Sequence, residues 1–159
     1  MTTVAEVMNK MVRCVRENDS LSAAAKVMWD CDCGAVPVLS QIGERPVGMI
    51  TDRDICMATW SRDSAPSAIP VSSAMSKNLY YCAPTDDITV AESIIRTKQI
   101  RRLPVIDSSG RLVGILSLAD VARRTARPGL VSADIRPDEL AQLVADISQP
   151  PGNAARISA

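Results

Sequence analysis

Histidine and phenylalanine are both missing from this 159-residue sequence, and aromatic residues make up only 3% of it. Without histidine, the chain cannot use a His-activated nucleophile, a His general base or a His metal ligand. The aromatic side chains on which bases could stack are only Trp29, Trp60, Tyr80 and Tyr81. This scarcity argues against a protein that binds single-stranded nucleic acid by stacking.

An excess of one charge sign is also missing, since 18 basic residues balance 18 acidic ones. Proteins that bind nucleic acid through phosphates usually carry a basic excess, so we expect no nucleic-acid partner. No run approaches the ~18 apolar residues of a membrane-spanning helix, so we expect no membrane association. No basic region followed by an apolar stretch opens the sequence, which predicts a cytoplasmic protein. The sequence contains 47% hydrophobic residues, which suits a globular protein. With nucleic acid and membranes set aside, we expect it to bind a small molecule.

The cysteines are odd in number: Cys14, Cys31, Cys33, Cys56 and Cys82. We expect reduced thiols that serve as small apolar side chains, and no bound metal. Cys31 and Cys33 form the one close pair, and with no histidine available only cysteine or carboxylate could complete a zinc site around them. A thiol- or zinc-responsive protein that uses this pair therefore stays open as an alternative.

An internal repeat organises the chain. Met8 and Met75 are 67 positions apart, and Pro37-Val38 recurs as Pro104-Val105 at the same offset. Beyond a loop the offset falls to 66, as between Gly48 and Gly114. A one-residue deletion in the loop explains the change. The repeat predicts a first unit at residues 1–58, a linker at 59–69, a second unit at 70–126 and a C-terminal extension at 127–159.

Both units predict the same elements. An apolar stripe of helical spacing, Leu21, Ala24, Ala25 and Met28 in the first unit, follows a cap-forming residue. Two short apolar strands come next, at 34–39 and 46–50 in the first unit and at 102–106 and 112–116 in the second. Their near-continuous apolar character predicts sheets covered on both faces. A second helix then completes each unit, which predicts an α/β (α+β) fold of two β-α-β-β-α units packed on one another.

The turn from the last strand into the last helix is repeated as Gly-x-x-Thr/Ser-x-x-Asp, with Thr51 and Asp54 in the first unit and Ser117 and Asp120 in the second. A helix N-terminus offers unpaired N–H groups to a phosphate, and a carboxylate one turn later can accept ribose hydroxyls. The same spacing is that of a capping box, in which hydroxyl and carboxylate satisfy the helix itself. Spacing alone leaves both interpretations open.

The two units, each with an apolar-Pro-apolar strand followed by Gly-x-x-Thr/Ser-x-x-Asp, resemble a tandem of cystathionine-β-synthase (CBS) domains, known as a Bateman module. The chain is similar to small stand-alone bacterial CBS-pair proteins, including the hypoxic-response type. The resemblance covers residues 1–126. It implies two units related by a pseudo-two-fold axis, a homodimer that is often a flat disk, and adenosine-containing ligands in two clefts.

The resemblance also implies site residues. The cleft of the first motif would use Ala35, Val36, Pro37, Thr51, Arg53 and Asp54, and the cleft of the second motif would use Arg101, Arg102, Leu103, Pro104, Ser117 and Asp120. In both, the hydroxyl would face phosphate, the aspartate would hold the ribose, and the strand residues would line adenine. Arg53 has Ala119 at its matching position. The first cleft is therefore expected to be better supplied for phosphate, unless Arg101 or Arg102 substitutes in the second.

The extension predicts one amphipathic helix at about 137–148, opened by Pro137-Asp138-Glu139. Its apolar stripe is Leu140, Leu143, Val144 and Ile147. We expect this helix to pack on its own protein, in the same subunit or across a dimer.

Taken together, these features predict no catalytic residues and a non-enzymatic signal-transduction module. Its ligand would be AMP, ADP, ATP, NAD or S-adenosylmethionine, and a further protein target is possible. A dimerisation adaptor with empty clefts is the other alternative. Paired carboxylates such as Asp52 and Asp54 could act as acid and base in an enzyme, but at a helix start such residues are ordinarily caps.

Overall fold

Two successive units of helices and strands make up the fold, which a computed structural model describes for residues 2–125 and 136–149. The first unit contains α1 (Val4–Val7), β1 (Val15–Arg16), α2 (Leu21–Asp30), β2 (Ala35–Leu39), β3 (Pro46–Thr51) and α3 (Asp52–Arg62). Two 3₁₀ turns follow, at Pro66–Ala68 and Val71–Ser73. The second unit contains α4 (Ile88–Lys98), β4 (Arg102–Ile106), β5 (Leu112–Ser117) and α5 (Leu118–Thr125), and α6 (Pro137–Ile147) comes last.

The long helix that opens each unit begins at a side-chain cap, as the sequence predicts. Ser20 Oγ accepts a hydrogen bond from the Ala23 N–H at the start of α2, and Asp87 accepts one from the Thr89 N–H at the start of α4. Each helix then buries an apolar stripe of helical period: Leu21, Ala24 and Met28 in α2, and Ile88, Ala91 and Ile95 in α4. Caps and stripes therefore set the position and the buried face of both helices.

The first unit forms a three-stranded sheet in the order β1-β2-β3, with β1 parallel and β3 antiparallel to β2. The second unit keeps the antiparallel pair β4-β5, but its first strand is reduced to a single bridge between Cys82 and Val105. The predicted β-α-β-β-α pattern is therefore complete in the first unit only. In the first unit, the N–H of Glu17 extends the ladder by donating to Leu39 O. Pro84 stands at the matching position of the second unit and has no N–H to donate.

Burial along the strands corrects one expectation. The central strands β2 and β4 are buried along most of their length, in keeping with sheets covered on both faces. In β3, by contrast, buried residues alternate with partly buried ones, and β5 alternates in its second half. The second face of these two strands is only partly covered. The prediction of sheets covered on both faces, made from their unbroken apolar sequence, is therefore wrong for β3 and β5.

The N-terminal segments of the two units are exchanged, which the repeat did not predict. Val4 of α1 is fully buried in the core of the second unit, together with Ile88 and Leu116. Val71, in the second 3₁₀ turn, is fully buried in the core of the first unit. Each segment is held by backbone hydrogen bonds across the exchange, such as those from Val4 N to Asp86 O (2.9 Å) and from Val71 N to Asp19 O (2.8 Å).

A second pair of crossings shows the pseudo-two-fold relation between the units. Asn9 pairs with Ile115 in β5, and Ser76 pairs with Met49 in β3, each through two backbone hydrogen bonds. A Cβ on the glycine beside each crossing would collide with the segment that passes over it. At Gly48, that Cβ would lie 2.5 Å from the Ser76 carbonyl oxygen. At Gly48 it is therefore the backbone of the crossing segment that comes close, whereas at Gly114 the Met8 side chain comes closest, with the Asn9 carbonyl oxygen 3.2 Å away.

Helix α6 packs on the second unit of the same chain, against α4 and α5. Leu143 and Ile147 join the core of that unit, with Leu140 packed against it. Val144 is 42% exposed, so the predicted stripe is one residue too wide. Asp146 of α6 also forms an ion pair with Arg96 of α4, with Asp146 Oδ2 3.2 Å from Arg96 Nε.

The predicted linker holds the last turn of α3 and the first 3₁₀ turn, and Ile69 enters the core of the first unit. The remainder of the extension, 127–135 and 150–159, lies outside the described residues. Across the described ranges, every helix is too short or too polar to span a lipid bilayer.

Candidate functional site

A cleft of about 370 Å³ opens between the two units. Five stretches of chain line it, from both units: Asn9 and Met11–Arg13, Cys31–Cys33, Ala35–Pro37, Arg102, and Ile115, Ser117, Ala119, Asp120 and Arg123. The crossing of Asn9 over Ile115 brings the N-terminal stretch to the second unit. The cleft is therefore a product of the pseudo-symmetric packing and of neither unit alone.

The structure brings together part of each predicted set of site residues. Arg102, Ser117 and Asp120, predicted for the cleft of the second motif, line this cleft together. Ala35, Val36 and Pro37, at the start of β2, line the same cleft as Ser117 and Asp120 of the other unit. Thr51, Arg53 and Asp54, which were expected beside Ala35–Pro37, are not among the residues that line it. The physical reason is that the pseudo-two-fold packing sets the strand of one unit opposite the strand-to-helix turn of the other. Matching within a single unit cannot show this.

Thr51 and Asp54 form a complete capping box at the start of α3. The Asp54 N–H donates to Thr51 Oγ1 at 3.1 Å, while Asp54 Oδ2 accepts from both the N–H (2.9 Å) and the hydroxyl (2.8 Å) of Thr51. These hydrogen bonds satisfy backbone donors that the helix itself leaves unpaired. The capping interpretation of this spacing is therefore correct.

Ser117 and Asp120 repeat this arrangement at the start of α5. The Asp120 N–H donates to Ser117 Oγ at 3.2 Å, and Asp120 Oδ2 accepts from the Ser117 N–H at 2.8 Å. Only one oxygen of the carboxylate serves the cap, since Oδ1 accepts from the guanidinium of Arg123. Because the turn also borders an open cleft, capping and ligand contact are compatible here.

The charge of the cleft is also different from the expectation. Three arginines line it, Arg13, Arg102 and Arg123, against two aspartates, Asp32 and Asp120. The missing basic residue at Ala119 is thus offset by cations from three other places in the chain. Of the two arginines that the sequence offered as substitutes, Arg102 lines the cleft, whereas the exposed Arg101 is not among the lining residues. Such a cleft favours an anionic ligand.

Two further predicted residues do not present side chains to a ligand. Leu103 is 0% exposed and belongs to the core of the second unit, and Pro104 is buried beside it. Arg53 is exposed on the first turn of α3. The side chains of Leu103 and Pro104 in the apolar-Pro-apolar strand therefore pack inside the second unit.

Several lining residues were missed from the sequence. Arg123 lies three positions after Asp120 on α5, so helical spacing from the motif could have found it. Arg13 and its neighbours carry no such signal. They reach the cleft only through the crossing at Asn9, which depends on the tertiary fold.

The cysteines offer no complete metal site among the described residues, where no three cysteine or acidic side chains are close enough to hold an ion. Cys31 and Cys33 both line the cleft, and all five cysteines are unpaired. Burial raises the pKa of Cys14 to about 11 and that of Cys82 to about 12, so both thiols stay protonated at neutral pH. Within the part of the chain that the structure describes, Cys31 and Cys33 therefore lack the further ligands that a zinc ion bound within one chain needs.

A family model described as CBS domain matches residues 4–60 and 71–127. The chain is 36% identical over 131 residues to Hypoxic response protein 1 of Mycobacterium tuberculosis, an alignment that covers 82% of this chain and 90% of that protein. A crystal structure of Hypoxic Response Protein I with two coordinated zinc ions is similar at a TM-score of 0.68 and 36% identity, over 78% of this chain and 99% of the other.

A crystal structure of CBSX2 in complex with AMP matches at a TM-score of 0.67 over 79% of this chain and 97% of the other, but at only 21% identity. That likeness shows the fold alone. The family match covers more than half of the sequence in two consecutive copies, in agreement with the duplicated elements and their pseudo-two-fold packing. This chain therefore belongs to the CBS-domain family and carries a tandem pair of its domains.

Proposed function

We propose that this protein is a non-enzymatic regulatory module that binds an adenosine-containing ligand in the cleft between its units. AMP, ADP, ATP, NAD and S-adenosylmethionine are the candidate ligands. The observation that carries the proposal is the cleft itself, in which a helix N-terminus, a ribose-competent aspartate and three arginines meet. The AMP-bound structural neighbour supports only the fold, at its 21% identity.

Each part of the ligand has a suitable surface in the cleft. The first turn of α5, with Ser117 at its start, offers the positive end of the helix dipole to a phosphate, while the N–H groups of Leu118 and Asp120 already donate to Arg101 O and Ser117 Oγ. Asp120 can exchange its contact with Arg123 for ribose hydroxyls, which frees that guanidinium for phosphate. Ala35, Val36 and Pro37 line the cleft although their side chains are buried, so an adenine ring placed against them would meet mainly the backbone of β2.

Binding at this place would regulate because the cleft walls come from both units. A ligand that contacts α5 and β2 together stabilises the arrangement of the units that best fits it. It shifts the equilibrium only as far as its affinity differs between arrangements. The proposed readout is this relative packing, which a further protein target could sense.

Thermal melting with each candidate ligand tests the proposal. A ligand present at about 100 times its Kd adds about 2.7 kcal/mol to the free energy of unfolding. For a chain of this length, we expect Tm to rise by about 5–10 °C. The absence of a rise with every adenosyl compound would contradict the proposal.

A matched pair of arginine variants tests whether a ligand that raises Tm binds in the cleft. Arg13 and Arg45 are both exposed, but only Arg13 lines the cleft. We expect Arg13→Gln to weaken binding about 10-fold, the effect of losing one charge-assisted contact, and Arg45→Gln to leave the affinity unchanged. Equal affinities in the two variants would place the ligand elsewhere.

A thiol- or zinc-responsive role for Cys31 and Cys33 is the second candidate, favoured by the two zinc ions in the crystal structure of Hypoxic Response Protein I. The described residues supply no third ligand within one chain. Mass spectrometry under non-denaturing conditions distinguishes the two proposals: one zinc or one disulfide per chain supports this role, and five free thiols without metal remove it.

Two further expectations concern the oligomeric state and the cellular location of the protein. We expect a homodimer in the cytoplasm, in keeping with five unpaired cysteines. A ligand-free dimerisation adaptor is the remaining alternative, and an adenosyl compound that stays bound through purification would exclude it.

A further inference from the structure

Arg123 holds the carboxylate on which the proposed ribose contact depends. Asp120 Oδ2 accepts hydrogen bonds from the N–H of Ser117 (2.8 Å) and from its hydroxyl (2.5 Å). The other oxygen, Oδ1, accepts from the guanidinium of Arg123. The side chain of Asp120 is only 12% exposed, so the ion pair satisfies a largely buried carboxylate. Both oxygens of Asp120 therefore already have a partner on the protein.

The internal repeat shows that the arginine is not part of the cap. Thr51 and Asp54 close the same capping box at the start of α3. Met57 stands there at the position that matches Arg123. Since the first capping box is complete with an apolar side chain at this position, the helix start does not require an arginine three residues after the aspartate.

The three arginines of the cleft differ in what they contact. Arg123 is engaged by Asp120, whereas Arg13 and Arg102 form no ion pair with any other described residue. At the start of α5, the N–H groups of Leu118 and Asp120 already donate to other atoms of the chain. An anion in the cleft therefore depends mainly on the arginine side chains, and only Arg123 must leave a partner to contact it.

We propose that the pair of Asp120 and Arg123 makes the cleft select ligands that carry a ribose and an anionic group together. The inference rests on the proposed function. A nucleoside offers hydroxyls to Asp120 but no anion to the guanidinium that it displaces. Inorganic phosphate offers an anion to Arg123 but no donor to the carboxylate that is left behind. A nucleotide supplies both partners at once and so replaces the ion pair without leaving a charge unpaired.

This selection narrows the list of candidate ligands. AMP, ADP, ATP and NAD each carry a phosphate on the ribose of their adenosine. S-adenosylmethionine carries a positively charged sulfur in that place, which would lie in a cleft with three arginines, one of them displaced from its aspartate. Like charges at short range repel. Adenine nucleotides are therefore the ligand class that fits, ahead of adenosine and S-adenosylmethionine.

Calorimetric titration of the full chain with AMP and with adenosine tests the inference. We expect the unaltered protein to prefer AMP clearly. Arg123→Met introduces the residue of the first unit and should weaken AMP binding about 10-fold, the effect of losing one charge-assisted contact. Adenosine binding should instead become tighter, by up to about 5-fold, because the hydroxyls no longer displace an ion pair. The preference for AMP should thus fall by more than the loss in AMP affinity.

Two control variants separate selection from other effects of the substitution. A single nitrogen of Arg123 donates to Asp120, so Arg123→Lys can keep the contact and should retain most of the preference for AMP. Arg45 is exposed and does not line the cleft, so Arg45→Met should leave both affinities unchanged. An arginine that served only the stability of α5 would lower Tm on substitution and alter neither affinity.

The outcomes distinguish this inference from the proposed function. If AMP binds, but Arg123→Met changes the affinities for AMP and adenosine by the same factor, the inference is overturned while the proposed function stands. Equal binding of AMP and adenosine by the unaltered protein overturns it as well. If no adenosyl compound binds the unaltered protein, the proposed function fails and the inference fails with it.

Discussion

At the scale of single residues, the same hydroxyl–carboxylate pair occurs at two helix starts in two surroundings. Thr51 with Asp54 and Ser117 with Asp120 close equivalent capping boxes. Only the second pair borders the described cleft, where Asp120 also faces Arg123. The cap accounts for the structural role of both pairs, and the surroundings add a proposed binding role to one.

Alanine substitution separates these roles. We expect Asp120→Ala and Asp54→Ala each to lower the free energy of unfolding by about 1 kcal/mol, because each removes the carboxylate half of a capping box. Only Asp120→Ala should also weaken ligand binding at the described cleft, by about 10-fold or more. Chemical denaturation measures the first effect, and calorimetric titration measures the second. Unaltered affinity in Asp120→Ala would leave this residue a cap and nothing more.

At the scale of elements, the contact of α4 with α6 contains a carboxylate in an unfavourable place. Burial raises the pKa of Glu92 to about 7; Arg96 opposes this, while Glu139 of α6 and Asp87 add to it. Within the described residues, Glu92 Oε1 is buried and has no hydrogen-bond partner. Since the folded state binds this proton more tightly than the unfolded chain, Glu92 stabilises the fold at low pH. That contribution is lost as the pH rises from about 4.5 to about 7.

Glu92→Gln should remove this pH dependence. We expect the variant to be more stable than the unaltered protein above pH 7, by at least about 1 kcal/mol, and similar to it near pH 4.5. Urea denaturation across this pH range measures the difference, with the exposed Glu44→Gln as control. A constant difference at every pH would mean that Glu92 does not titrate in this window.

The elements themselves were largely predictable because their signals are local. Caps at Ser20 and Asp87, apolar stripes of helical period, and turn residues between the strands act over a few residues. Pro84 is equally local, and its missing N–H explains why the first strand of the second unit is a single bridge. The partial cover on β3 and β5 was not predictable in this way, since it depends on what packs against them.

At the scale of the whole molecule, exchange of N-terminal segments couples the two units. Val4 completes the core of the second unit and Val71 that of the first, and both are fully buried. Neither core is complete without the other half of the chain. The two domains should therefore unfold together.

Differential scanning calorimetry tests this coupling. We expect a single transition for the unaltered protein. In Val4→Ala, the transition should remain single but move to lower temperature, since the lost burial costs about 2 kcal/mol. The exposed Val90→Ala on α4 serves as control and should move it little. Two separate transitions in either protein would show that the units unfold independently.

The sequence by itself determined the duplication, the order of the elements, the repeated turn and the amphipathic last helix. Each of these features can be recognised from the spacing of residue types along the sequence or from the period of its apolar residues. Tertiary structure alone decided which unit each N-terminal segment completes, which strand faces which turn across the cleft, and that α6 packs on the second unit. These are contacts between residues far apart in sequence. Two nearly equivalent units can be joined in several ways without a change in either local pattern, so only their packing selects one.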